Sequence, residues 1–130
     1  MLLSGGNYCE IRLKIKKTFM PVLKDQESTA QEIAPGVFRK FIHLNGLMTA
    51  IIDFKNGPWE EPEPRHHHPH EQTSYVAKGE LIVYIGDEEH HLQTGDIFYV
   101  PSNVPHTVKI LSKEVRLIDN FNPIREDFLS

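Results

Sequence analysis

The sequence is poor in cysteine, in long apolar runs and in positive charge. Its one cysteine, Cys9, cannot form a disulfide within the chain. No stretch approaches the ~20 apolar residues of a membrane-spanning helix, and residues 1–19 lack the apolar run and cleavage site of a secretion signal. The net charge of -4 provides no basic surface for phosphate groups. We therefore expect a cytoplasmic protein that binds a small molecule and neither membranes nor nucleic acid.

A convincing helical period is also missing, and turn-forming residues are frequent. The length of 130 residues suits one domain, and nine prolines and eight glycines spread along the chain favour many short elements. Turn signals separate predicted strands at residues 37–43, 47–54, 73–77, 80–85, 89–92, 97–100, 106–111 and 115–121. This spacing is typical of an all-β antiparallel barrel or sandwich. Residues 1–19 form either an edge strand or a loosely attached extension ahead of a domain that spans residues 20–130.

Histidine is concentrated in one short segment. Four of the eight histidines fall within residues 65–71. His66 and His68 are two residues apart, which places both side chains on one face of an extended strand. Gln72 shares their parity, and His106 begins a separate strand whose inward face is apolar. Imidazole and amide groups together suit a metal site with open positions. The competing interpretation is a surface histidine cluster that binds no metal.

A single carboxylate interrupts the apolar face of the last predicted strand. Val115, Leu117 and Phe121 share that face with Asp119. A buried carboxylate is unfavourable unless it is paired, protonated or near a metal, so Asp119 has either a structural partner or a place in the cavity that the histidines line. Arg125 follows closely enough to fold over the same opening, where its guanidinium is suited to a carboxylate. The alternative for Arg125 is a surface ion pair.

Two spaced motifs resemble those of the cupin superfamily. The first motif is matched in spacing by His66, His68, Gln72 and Gly79, with Glu60 at its opening glycine and Gln72 at its glutamate. The second motif is matched by Gly95, Pro101 and His106, with Asn103 at a glycine and Ile110 at its final asparagine. The resemblance covers about residues 37–121. It implies a small single-domain jelly-roll barrel, or double-stranded β-helix, with one divalent metal held by His66, His68, Gln72 and His106.

The glutamine in the first motif changes the expected chemistry. A neutral amide leaves the double positive charge of a metal uncompensated, so the site should attract an anion. Glu71 is one residue away, but the period of two places it on the opposite face from His68. We therefore prefer Gln72 as the fourth ligand.

Residues 65–72 and 117–129 also resemble segments of the pectin-degradation cupins that linearise unsaturated uronates. This resemblance implies an enzyme that uses one divalent ion, zinc, nickel, manganese or iron, to convert 4,5-unsaturated monouronates from pectin or alginate into linear keto forms. It implies proton transfer by Asp119, binding of the anionic sugar acid by Arg125 and packing of Phe121 against the sugar ring.

Two other functions stay open at this point. One is a cupin dioxygenase or isomerase acting on another small molecule, because three histidines and one oxygen ligand also suit redox metals. The other is a non-catalytic cupin that binds a sugar or metabolite. In either case, edge strands at a barrel rim favour a homodimer.

Overall fold

The computed structural model describes residues 21–130, which form nine β-strands and two short 3-10 turns. The strands are, in chain order, β1 (Gln31–Ala34), β2 (Val37–His43), β3 (Met48–Phe54), β4 (Glu71–Lys78), β5 (Glu80–Ile85), β6 (Glu88–Gln93), β7 (Ile97–Val100), β8 (His106–Ile110) and β9 (Val115–Asn122). The 3-10 turns span Asp25–Glu27 and Glu126–Leu129. Within residues 21–130 no helix has the length and apolar character needed to cross a membrane.

The strands form two antiparallel sheets that enclose one core. The larger sheet has the order β1-β2-β3-β9-β4-β7, and the smaller has the order β6-β5-β8. Strand β9 pairs with both β3 and β4 although it comes last in the chain. Such an insertion of a distant strand is typical of a jelly roll. The predicted all-β jelly-roll fold is therefore confirmed.

The inward faces of the larger sheet determine where polar groups meet. Buried and more exposed residues alternate along β3, β4 and β9, as a strand with one covered face requires. Most of the inward side chains are apolar and pack with Leu81 and Ile110 of the smaller sheet. Each such burial contributes roughly 1.5–3 kcal/mol. The polar residues among the inward side chains of these strands are Gln72, Ser74 and Asp119.

Most predicted strands agree with the structure, and two differences have physical causes. The sequence pattern does not predict β1, because its four residues are largely exposed at the sheet edge and include only one β-branched side chain. The spacing of the histidines predicts a regular strand, but in the structure this segment is irregular. Pro69 lacks the N–H that a strand ladder needs, so β4 begins only at Glu71 and His66 makes an isolated bridge to His106. The predicted edge strand in residues 1–19 lies outside the described residues.

The turn before β8 links the two parts of the chain that carry the histidines. Asn103 has a φ of 64°, the left-handed conformation that asparagine adopts more readily than most residues. In this conformation its backbone N–H donates a hydrogen bond to the carbonyl oxygen of His68 at 2.7 Å. The turn thus fixes the His68 loop beside the strand that begins with His106.

Candidate functional site

Three histidines converge between the two sheets. The backbones of His66 and His106 exchange two hydrogen bonds, with N···O distances of 3.0 and 2.8 Å. His68 lies on the loop that follows, and one ring nitrogen from each of the three side chains falls within 4.8 Å of the other two. This is the one group of three or more such ligands found in residues 21–130. The structure thus brings together three of the four predicted ligands.

Backbone carbonyls orient the three imidazoles. A carbonyl can only accept, so each Nδ1 must carry the proton and donate it. The donor–acceptor pairs are His106 Nδ1 to Val104 O at 2.8 Å, His68 Nδ1 to His70 O at 3.0 Å and His66 Nδ1 to Pro64 O at 3.4 Å. Each Nε2 is then left with a lone pair, as metal-binding histidines require.

The surroundings of these imidazoles favour the neutral form, because His68 and His106 are buried and His66, although more exposed, is still partly desolvated. Loss of solvation lowers the pKa of His66 and His68, and it lowers the pKa of His106 to about 4. The neutral form is the one that coordinates metal ions. The Nε2 atom of His106 is buried and has no hydrogen-bond partner among residues 21–130. Because an unsatisfied buried nitrogen is unfavourable, a bound cation would remove this cost.

Gln72 completes the group from the start of β4. Its side chain is buried while that of Glu71 is exposed, as the period of two predicts. The Oε1 atom of Gln72 is 3.2 Å from His68 Nε2. With the His68 proton on Nδ1, both of these atoms are acceptors, and a cation between them would make the contact favourable. Three imidazole nitrogens and one amide oxygen therefore fit a divalent first-row metal ion.

A buried serine connects Gln72 to Asp119. Gln72 Nε2 donates to Ser74 Oγ at 2.9 Å, and Ser74 Oγ donates to Asp119 Oδ1 at 2.6 Å. Ser74 is the cross-strand partner of Asp119 and is only 2% exposed. Sequence reasoning missed Ser74, although its parity with Gln72 is a usable signal. The serine fixes the amide so that its oxygen, rather than its nitrogen, faces the histidines.

Asp119 is a buried carboxyl group at the wall of a cavity. Burial raises its pKa to about 6, although the Ser74 hydrogen bond and the charge of Arg125 act in the opposite direction. The cavity has a volume of about 360 Å³ and is partly open to solvent. Its polar and charged lining consists of Arg39, Glu63, His66, Gln72, His106, Thr107, Asp119, Arg125 and Asp127. Asp119 thus shares this cavity with three of the four proposed metal ligands, His66, Gln72 and His106.

Aromatic rings and Arg125 form part of the wall of this cavity. Phe121 packs edge-on against His68, with 5.8 Å between ring centroids. The Arg125 guanidinium carbon lies 5.1 Å from the Phe121 ring and 4.6 Å from the Phe128 ring. Arg125 also donates from Nε and Nη2 to the two carboxylate oxygens of Asp127, at 3.0 and 2.8 Å. The predicted residues Asp119, Phe121 and Arg125 therefore line one cavity. Arg39 and Glu63, which sequence reasoning missed, line it as well.

The remaining histidines lie outside this group. His67, His90 and His91 are exposed, and the last two pair with Glu88 and Glu80 on the smaller sheet. His43 is exposed at the end of β2. His70 approaches the group through its backbone carbonyl, which accepts the proton of His68 Nδ1.

The fold and the histidine group define a cupin, and the chain belongs to the cupin family. The family profile described as "Cupin domain" matches residues 53–120. A pectin degradation protein, KdgF of Dickeya dadantii, is 37% identical over 106 residues, which are 81% of this chain and 94% of that protein.

Solved structures are similar over the same part of the chain. KdgF from a Halomonas species has 31% identity and a TM-score of 0.74, with 81% of this chain and 94% of that one covered. An RmlC-like cupin from Shewanella frigidimarina has 32% identity and a TM-score of 0.76, with 84% and 96% covered. The similarity thus spans the two sheets and the cavity rather than the motifs alone.

Proposed function

We propose that this cupin is a metal-dependent enzyme that converts 4,5-unsaturated monouronates, released from pectin or alginate, into their linear keto forms. The observation that carries the proposal is the hydrogen-bonded connection from Asp119 through Ser74 to Gln72. It joins a buried carboxyl group to the histidine group within one cavity of about 360 Å³. This volume falls within the roughly 300–1,000 Å³ of small-molecule sites. The similarity to a pectin degradation protein supports this substrate class.

One divalent ion, zinc, nickel, manganese or iron, would be held by His66, His68, Gln72 and His106. When bound, such an ion supplies Lewis acidity that polarises substrate oxygens. The four protein ligands carry no negative charge, since the imidazoles and the amide are neutral. An anionic substrate therefore complements the site better than a neutral one.

The reaction requires a proton donor and a water molecule but no redox step. Asp119 would deliver a proton to C4 of the enol ether while the oxygen of water bonds to C5, and the proton that the water loses would return to the Asp119 carboxylate. The resulting hemiketal opens between C5 and the ring oxygen to give a C5 ketone. The C1 hydrate then loses water to give an aldehyde, so the net change is an isomerisation. A carboxyl with a pKa near 6 exchanges protons readily at neutral pH.

Phe121 and Arg125 would complete the substrate site. The buried Phe121 ring lines the cavity and would offer an apolar surface to the sugar. The Arg125 guanidinium adds positive charge to the cavity wall, where it would attract a uronate. Because its Nε and Nη2 are already engaged by Asp127, Arg125 would contribute charge and orientation rather than a bidentate contact.

The deciding experiment is incubation of the purified protein with unsaturated galacturonate and unsaturated mannuronate under nitrogen. Loss of the conjugated ultraviolet absorbance without oxygen is the expected result. A strict requirement for oxygen would instead identify a dioxygenase. Tight binding without turnover would identify a binding protein and contradict the proposal.

Replacing Gln72 by glutamate tests the charge of the ligand set. The variant should retain metal, because a carboxylate also coordinates divalent ions, but the KM for unsaturated galacturonate should rise roughly tenfold as the site gains a negative charge. Glu71→Gln is the matched control, since it changes an exposed charge one residue away. Steady-state kinetics of both variants would decide the point, and an unchanged KM in Gln72→Glu would argue against this ligand assignment.

We also propose that the protein acts in the cytoplasm as a homodimer. The single cysteine suits a reducing compartment. At the edge strand β7 and its neighbour, Tyr75, Ile97 and Tyr99 expose apolar surface, and Ile97 is 75% exposed. A mass near twice the 15.0 kDa of one chain in sedimentation would support the dimer, and a mass of one chain would exclude it.

A further inference from the structure

A second guanidinium lies in the cavity, on a strand that carries no predicted site residue. Arg39 is on β2, and its side chain shares the inward face with Val37 and Phe41. Its guanidinium carbon is 3.9 Å from the centroid of the Phe128 ring and 5.6 Å from that of Phe41. Stacking on a ring leaves the hydrogen-bond donors at the edge of the guanidinium available.

The donors of Arg39 are unused within the described residues. Its Nε is buried and has no hydrogen-bond partner among residues 21–130, and no carboxylate of that part of the chain lies within 4.0 Å of the guanidinium. Arg125 differs, because Asp127 already occupies its Nε and Nη2. Of the two cavity arginines, Arg39 is therefore the one whose guanidinium donors are free to bind a ligand.

We propose that Arg39 binds the carboxylate of an anionic substrate through two parallel hydrogen bonds. The inference rests on the proposed function and deepens it, since it names the group that recognises the acid. Bidentate pairing of a guanidinium with a carboxylate gives both strength and orientation. It would satisfy the buried Nε and give the stacked cation a counterion.

The position of Arg39 relative to Asp119 fits one sugar ring. Arg39 pairs with Ile52 of β3, and Asp119 pairs with Ala50 of the same strand. The two residues are thus two strands and two residues apart on one face, which separates their Cα atoms by about 12 Å. The inward residues of β3 beside them are Ile52, opposite Arg39, and Ala50, opposite Asp119; both are apolar, and Ile52 lines the cavity. A ring held there would present its carboxylate to Arg39 and its double bond toward Asp119.

The surrounding charges favour an incoming anion. Desolvation is the main effect that lowers the pKa of Arg39, and the nearby Arg125 acts in the same direction, while Asp127 partly opposes them. The guanidinium stays charged at neutral pH nonetheless. A partly buried cation with too little compensation gains from a carboxylate ligand.

Substitution of Arg39 tests the inference with two probes. In Arg39→Gln, the KM for unsaturated galacturonate should rise at least roughly 30-fold while kcat stays within about threefold, because the lost contact holds the ground state and the transition state alike. The calorimetric Kd for saturated galacturonate should rise by the same factor, and binding of its uncharged methyl ester should not change. Arg39→Lys keeps the charge but lacks the planar guanidinium, so the KM and the Kd should each rise about tenfold.

Lys40→Gln is the matched control, because it removes a cation from the next residue of the same strand, on the opposite face, where Lys40 pairs with Asp25. It should leave both constants unchanged. If the wild-type protein does not turn over unsaturated galacturonate, the proposed function is wrong, and galacturonate binding alone then decides the role of Arg39. The inference is overturned if Arg39→Gln and Arg39→Lys bind galacturonate as tightly as the wild-type protein does, or if the substitutions weaken binding of the methyl ester by the same factor. It is also overturned if the wild-type protein does not bind galacturonate.

Discussion

Replacing Asp119 by asparagine is expected to lower turnover of unsaturated galacturonate by roughly 100-fold or more, the usual contribution of a positioned acid or base. The asparagine carbonyl can still accept the Ser74 hydrogen bond, so the connection to Gln72 should persist. Metal content should therefore match that of the wild-type protein. Steady-state ultraviolet assays would measure turnover, and metal analysis of the same samples would measure metal content.

Asp53→Asn is a suitable control for this substitution. Asp53 lies on β3 and pairs with Arg116 through both carboxylate oxygens, away from the cavity that Asp119 lines. Its loss removes an ion pair but no cavity group, so turnover should be unchanged. Equal activity of Asp119→Asn and the wild-type protein would show that Asp119 is not the proton-transfer group.

The stability of Asp119→Asn provides a separate test against a purely structural role. The pKa of Asp119 rises on folding from 3.8 to about 6, so its ionisation disfavours the folded state. This free-energy cost grows as the pH rises from about 4 to about 6 and reaches roughly 3 kcal/mol above it. Asparagine does not ionise. The metal-free variant should therefore melt at or above the wild-type temperature at pH 7.5, whereas a much lower temperature with normal turnover would identify a structural carboxyl.

Loss of His66 and His106 together should abolish metal binding and, with it, turnover. The double variant His66→Ala/His106→Ala removes half of the ligand set, including the buried Nε2 of His106 that has no protein partner in the described residues. The remaining His68 and Gln72 would be two neutral ligands, too few for a stable divalent site. The metal content of protein purified without a tag, measured by elemental analysis, should fall from up to one ion per chain to none.

The double variant His90→Ala/His91→Ala is the control for the removal of two histidines as such. These residues pair with Glu88 and Glu80 on the exposed smaller sheet. Their removal should leave metal content and turnover unchanged. Undiminished metal in the variant lacking His66 and His106 would contradict the assignment of this site.

The part of the site that depends on strand parity could be predicted from the sequence. The period of two places Gln72 and Asp119 on inward faces and Glu71 on the outer face, and all three have the expected exposure. The same reasoning gave the bounds of β2, β5 and β7. These features are local, because a strand that is covered on one side constrains each of its residues.

The rest of the site depends on contacts that local patterns do not encode. Ser74 matters because β4 pairs with β9 in the register that places it opposite Asp119. Arg39 matters because the last 3-10 turn folds back and stacks Phe128 on its guanidinium. Short sequence motifs carry no information on such long-range register. The irregular backbone of the histidine segment escaped prediction for a similar reason, since His66 is held by a bridge to a residue 40 positions away.

The place of β9 in the larger sheet has a consequence for how the protein is made. A ribosome delivers this strand last among the nine, yet it fills the gap between β3 and β4. Until then the facing edges of those two strands lack a neighbour, and pairing over such sequence distances is slow. The same strand brings Asp119 and Phe121. A nascent or truncated chain that stops before residue 115 therefore lacks both the closed sheet and the proposed proton donor, so that completion of folding and acquisition of activity coincide.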